Sequence, residues 1–158
     1  MIIKEIVCQY KSRRKFDCKV GNPLEVAEFF RKVLNEDRES MVVLHLNAKL
    51  IPLSWEKVAV GTLDNLVTHP REIFKGAIMQ NSSMIIVAHN HPSGNSMPSP
   101  EDFDLMKKIL DAGELLMISL LDFMVIGGDN IWSAANEGFL SPTVELKKES
   151  SENSEKKV

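Results

Sequence analysis

The stretch Met84-Ile85-Ile86-Val87-Ala88-His89-Asn90-His91-Pro92-Ser93-Gly94-Asn95-Ser96-Met97-Pro98-Ser99-Pro100-Glu101-Asp102 decides how this chain folds. It opens with a short apolar run, the pattern of a strand buried on both faces. It closes on Ser99-Pro100-Glu101-Asp102, which reads as a helix start: Ser99 as N-cap, Pro100 at the first helical position, acids in the first turn. A buried strand therefore passes through a stiff polar loop into a helix. His89 and His91 are two apart, so an extended backbone points both imidazoles to one face. Asp102, in the first helical turn, can be turned back towards them. Imidazole and carboxylate oxygen are ordinary zinc ligands, and three of them leave a fourth tetrahedral position to water, the plan of a catalytic rather than a closed structural site. Ser99 has two compatible readings, as a helix cap and as a hydroxyl beside the metal that donates to a developing oxyanion.

Upstream, Pro70 opens a helix with Ile73, Phe74, Ala77 and Ile78 facing inward. His69 reads as a cap or loop residue, and Arg71 either pairs with an acid or contacts substrate. Residues 64–68 suggest a helical turn. Met41–Leu46 is a short β-branched apolar run, hence a buried strand, with His45 a core or edge histidine rather than a ligand. Leu50–Val60 is expected to return antiparallel to it, with Pro52 arguing for an edge or bulge. Pro23 opens a helix bearing Val26, Phe29, Phe30, Val33 and Leu34, after strands expected over 2–10 and 16–20. Downstream, Asp102–Ala112 is amphipathic, and Gly113 is expected to end that helix. Leu115–Leu121 and Phe123–Ile126 read as strands, with Gly127-Gly128-Asp129-Asn130 a hairpin turn into Ile131-Trp132-Ser133. Helices alternating with strands, with hairpin-like pairs among them, predict an α/β fold with a mixed sheet.

A metal-bound water needs a carboxylate to take its proton and return it to a leaving nitrogen. Glu39, just before the 41–46 strand, is a candidate; read alone it is more readily a surface acid like Glu36 and Asp37.

The spacing His-x-His, seven residues, Ser, two residues, Asp resembles the JAMM (JAB/MPN) metalloprotease motif. Val87-Ala88-His89-Asn90-His91-Pro92-Ser93-Gly94, with Pro98-Ser99, Asp102 and the upstream Pro70-Arg71-Glu72-Ile73-Phe74, is similar to the RadC-like branch of that family. The resemblance spans most of residues 23–140. It implies a cytidine-deaminase-like α/β arrangement, a mixed central sheet flanked by helices. It further implies Zn2+ held by His89, His91 and Asp102, Glu39 as base and acid, and Ser99 with the metal stabilising an oxyanion. The implied reaction is hydrolysis of a peptide or isopeptide amide in a protein or peptide substrate. This chain departs from the branch at Asp122-Phe123, where Asp-His is usual. The missing histidine is no metal ligand of the motif, and the change is expected to alter the substrate wall. Two other readings come with the family: a non-enzymatic interaction module, as in MPN domains without the metal residues, and metal-dependent action on nucleic acid, suggested by the repair association of the RadC name.

The 158 residues, 44% hydrophobic and 26% charged, fit one globular domain over 1–141, with a Lys/Glu/Ser-rich tail over 142–158 expected to be disordered. A net charge of −3 provides no global basic field for nucleic acid, and Lys11, Arg13, Arg14 and Lys15 form only a local run. The chain is also expected to lack room for the helix-hairpin-helix part that RadC-like proteins often carry, which weakens the nucleic-acid reading. Cys8 and Cys18 are too few for a disulfide framework, no apolar run reaches the ~20 residues that span a bilayer, and no secretory signal is read at the N-terminus. A cytoplasmic protein with no membrane partner is expected.

Overall fold

The structure, a computed structural model, describes residue 20 and residues 22–34, 37–61 and 68–140. The strand expected over 2–10, residues 16–19 of the strand expected over 16–20, both cysteines, residues 64–67 of the expected turn and the tail from 142 lie outside the described residues; Val20 itself is in a turn.

Helix α1 (Pro23–Val33) starts where Asn22 accepts a hydrogen bond from Leu24 N–H and Pro23 takes the first helical position. Strand β1 (Ser40–Leu46) then runs antiparallel to β2 (Pro52–Val60). Helix α2 (Pro70–Met79) leads to β3 (Met84–Asn90), and helix α3 (Pro100–Leu116) crosses from β3 to β4 (Ser119–Gly127). A hairpin delivers β5 (Asn130–Ser133). The sheet order is β2-β1-β3-β4-β5, with only the β3–β4 pair parallel. The mixed α/β sheet expected from the sequence is therefore present. Among the described residues β2 lies at the edge of the sheet, and the ladder shifts register beside Pro52, where a residue without an N–H does least harm.

Every residue of β1 and β3 is buried, because helices cover both faces of the sheet. Val42, Leu44, Ile86 and Ala88 pack with Val26, Ala27 and Phe30 of α1. Met41, Val43, Ile85 and Val87 pack on the other side with α2 and α3. This alternation on a doubly covered strand is why the sequence shows a continuous apolar run there. Among the described residues, no helix is long and apolar enough to cross a membrane.

Three local expectations are corrected. Gly113 does not end α3, which continues to Leu116. Gly113 is where the helix touches the chain ahead of β4: a Cβ there would lie 2.5 Å from Ile118 O and 3.3 Å from Phe74 Cζ. The stop comes at Met117, whose backbone is left-handed (φ 57°); Ile118 N–H bonds to Gly113 O and Met117 N–H to Glu114 O, the Schellman pattern. The strand read from Leu115 consequently begins only at Ser119, and it is one strand through to Gly127; Leu115 and Met117 are exposed. Ile78 is exposed as well. The inward face of α2 is Ile73, Phe74, Gly76 and Ala77, and at about 100° per residue Ile78 falls off its side.

Candidate metal centre

β3 and α3 bring the site together. β3 is flanked by antiparallel β1 and parallel β4, and its carboxyl end faces the start of α3, the kind of crevice where open α/β sheets place ligands. His89 is fully buried on the face shared with Val87. His91 lies one residue past the strand, yet its N–H still bonds to Ile126 O at 2.9 Å, which keeps it in register beside β4. The loop that follows is anchored on Gly127, where a Cβ would sit 2.5–2.6 Å from backbone atoms of Gly94, Asn95 and Ser96. From that position Asn95 O lies 2.8 Å from His91 Nδ1. An Nδ1–H donated to this carbonyl leaves Nε2 with its lone pair aimed inward.

Asp102 arrives through the cap of α3. Ser99 Oγ accepts from Asp102 N–H at 3.1 Å, while Asp102 Oδ2 accepts from Ser99 N–H at 2.7 Å and from the Ser99 hydroxyl at 2.8 Å. This capping box fixes the Asp102 rotamer. Its carboxylate then meets both imidazoles, with Oδ1 3.1 Å from His89 Nε2 and Oδ2 3.4 Å from His91 Nε2. The two Nε2 atoms are 3.1 Å apart. Glu39, from the segment before β1, stands slightly further off, its Oε1 3.9 Å from His91 Nε2.

The donor set fits a cation. Ligand atoms about 2.0–2.1 Å from zinc at tetrahedral angles lie about 3.3–3.4 Å from one another. The two imidazole nitrogens stand 3.1 Å apart, and each has one oxygen of the Asp102 carboxylate beside it, Oδ1 at 3.1 Å from His89 and Oδ2 at 3.4 Å from His91, spacings close to that range. One ligand-type atom from each of Glu39, His89, His91 and Asp102 lies within 4.8 Å of all the others. Two facing imidazole nitrogens share at most one proton between them, so a cation suits their lone pairs better than they suit each other.

The electrostatics separate the two carboxylates. Burial pushes Asp102 up, but hydrogen bonds from His89 and His91 outweigh it and hold the carboxyl well below its usual range. Glu39 is shifted the other way: burial raises it, and the pull of His89 and His91 offsets only part of that. The Asp102 hydrogen bond raises His91. A strongly ionised carboxylate beside a more basic one is the division that a metal ligand and a proton acceptor would require.

The five residues singled out in the sequence, Glu39, His89, His91, Ser99 and Asp102, therefore converge at one end of the sheet. Others do not. His45 is buried elsewhere in β1, with Nδ1 2.8 Å from Ser54 Oγ and Nε2 3.7 Å from Glu56 Oε1; burial pushes its imidazole down to about 4. Arg71 is exposed and paired with Glu72, and His69 caps α2 without a side-chain bond. Phe123 stands behind His89. It is buried in the core with its ring 5.4 Å from that of His89, because β4 lies directly beside β3. Two residues of the site were not anticipated, Asn95 and Asn90; the one signal for Asn90 was an amide side chain within a run otherwise apolar or histidine.

Comparison with known proteins agrees with this geometry. The RadC-like JAB domain model matches residues 20–139. A UPF0758 protein of Methanosarcina mazei is 37% identical over 123 residues, covering 77% of this chain and 54% of the relative. One from Desulforudis audaxviator is 45% identical over 102 residues (65% and 44%), and one from Staphylococcus carnosus 39% over 122 residues (77% and 54%). The chain thus spans about half the length of these relatives. Matched over residues 20–139, this chain belongs to the RadC-like JAB domain family.

Proposed function

We propose that the chain is a zinc-dependent hydrolase of amide bonds in peptide or protein substrates, acting in the cytoplasm. The observation that carries this reading is the meeting of His89 Nε2, His91 Nε2 and the Asp102 carboxylate, with the Glu39 carboxylate 3.9 Å from His91 Nε2. His89, His91 and Asp102 would hold the ion. A zinc ion in such a site supplies a water of pKa about 7 and polarises a carbonyl oxygen. Glu39, raised by burial, accepts the proton of the attacking water at its carboxylate and delivers it to the leaving nitrogen. Ser99 supports Asp102 in the resting geometry; to serve the oxyanion its hydroxyl turns away from Asp102 Oδ2.

The test has two stages. Metal analysis of the purified protein is expected to find about one zinc per chain, lost in His89→Ala and Asp102→Ala. Glu39→Gln is expected to keep the zinc while hydrolysis of fluorogenic peptide and isopeptide amides falls by about 10²–10⁴-fold, the usual reach of general acid–base catalysis. Unchanged zinc content in both ligand variants would reject the ligand assignment; unchanged turnover in Glu39→Gln would reject the base.

A further inference from the structure

Asn90 sits between the two histidines and its side chain performs a different task. The antiparallel ladder between β1 and β3 ends at Met41 and His89. One step further, the Asn90 amide takes the place of a backbone partner. Its Oδ1 accepts from Ser40 N–H at 2.9 Å and from the Ser40 hydroxyl at 3.0 Å, and its Nδ2 donates to Arg38 O at 2.9 Å. Arg38 and Ser40 are the two neighbours of Glu39. The Glu39 carbonyl is itself held from the other side by Gly61 N–H at 2.8 Å. The backbone around Glu39 is thus pinned at three successive residues.

We propose that Asn90 is a positioning residue for Glu39: its buried amide brackets the glutamate and ties it rigidly to the strand that carries His89 and His91. This rests on the hydrolase reading for its consequence in turnover, though not for the geometry. The task needs a donor and an acceptor in one short planar group. Aspartate keeps the acceptor and lacks the donor to Arg38 O; leucine has the shape and neither. Asn90 is only 7% exposed, so its amide is buried at a cost that these bonds offset. A misplacement of about 1 Å in a reacting group is worth roughly 100-fold in rate, so loosening this bracket acts on Glu39 without removing any ligand.

The experiment compares Asn90→Leu and Asn90→Asp, zinc-loaded, with the unaltered chain and with Glu39→Gln. Three readouts are taken: crystal structures, zinc affinity by chelator competition, and kcat and KM on a fluorogenic amide. In Asn90→Leu the Glu39 carboxylate is expected to move by about 1 Å or more relative to His91, with zinc affinity held and kcat down roughly 100-fold at unchanged KM. In the Glu39→Gln background the same substitution is expected to have no further effect on rate. Asn90→Asp, which keeps the Ser40 contacts, carries the test if Asn90→Leu does not fold. The proposal is overturned if Glu39 keeps its place in the variant structures, or if zinc affinity drops as far as in His91→Ala. If the unaltered chain hydrolyses no amide, the hydrolase reading fails, while the displacement of Glu39 still decides the role of Asn90.

Discussion

Asp102→Asn separates the two roles that one carboxylate carries. In the cap, Asp102 works as an acceptor for Ser99 N–H and Oγ, and an asparagine oxygen can take that place. At the site it works as an anion facing His89 and His91, which an amide cannot replace. In the metal-free variant the cap itself should change by at most about 1 kcal/mol, and the lost attraction of the anion for His89 and His91 adds to that cost. Its zinc affinity should fall at least about 100-fold, since changes to outer-shell partners alone cost roughly 10–100-fold. Free zinc at about 1,000 times the dissociation constant stabilises the unaltered fold by about 4.1 kcal/mol, RT ln(1 + [L]/Kd). At the same zinc concentration the variant is left with about 1.4 kcal/mol or less. For a domain of this size the missing 2.7 kcal/mol corresponds to roughly 8–15 °C of the zinc-induced rise in Tm. Differential scanning calorimetry with zinc and with chelator reads both quantities. Equal zinc-induced shifts in the two proteins would refute Asp102 as a ligand.

Other consequences follow from groups around and away from the site. His45 is neutral when folded down to about pH 4 but protonates near 6.5 when unfolded, so its contribution is lost as pH falls from 6.5 towards 4. The shift is worth about 3 kcal/mol, and Glu56, raised chiefly by burial, slopes the opposite way and reduces the net figure. Urea denaturation with chelator present should accordingly show a flatter pH dependence in His45→Gln across this window. Gly127→Ala drives a methyl into the backbone of residues 94–96; it is expected to cost about 1–3 kcal/mol and, through Asn95 and His91, to weaken zinc binding about 10–100-fold in chelator competition. Ser99→Ala removes a donor and an acceptor of the capping box, and should lower stability by about 1 kcal/mol with some loss of zinc affinity.

What the sequence revealed of this site, and what it concealed, divides along physical lines. His89, His91, Ser99 and Asp102 were legible because local rules set their directions: strand alternation aims the first two, and a capping box turns the fourth back onto them through the third. Glu39 was half legible, since its value depends on which strand lies beside β1, and that is a matter of long-range pairing. The end of α3 was misread because Gly113 looks like a stop signal, whereas its hydrogen-only side chain serves the close approach of Ile118, and a methionine adopts the left-handed turn instead. Phe123 and Asn90 were hidden for the same reason as Glu39: each acts across the sheet, on His89 and on the neighbours of Glu39 respectively. The meeting of His89, His91 and Asp102 is therefore written in local sequence, while the approach of Glu39 and the bracket around it exist only once β1 and β3 pair. It follows that a change which shifts the β1–β3 register should separate Glu39 from the metal ligands and leave the ligands themselves together. Zinc binding and turnover should then fail independently, and measuring both on such a variant distinguishes a site built from two modules from one that stands or falls as a whole.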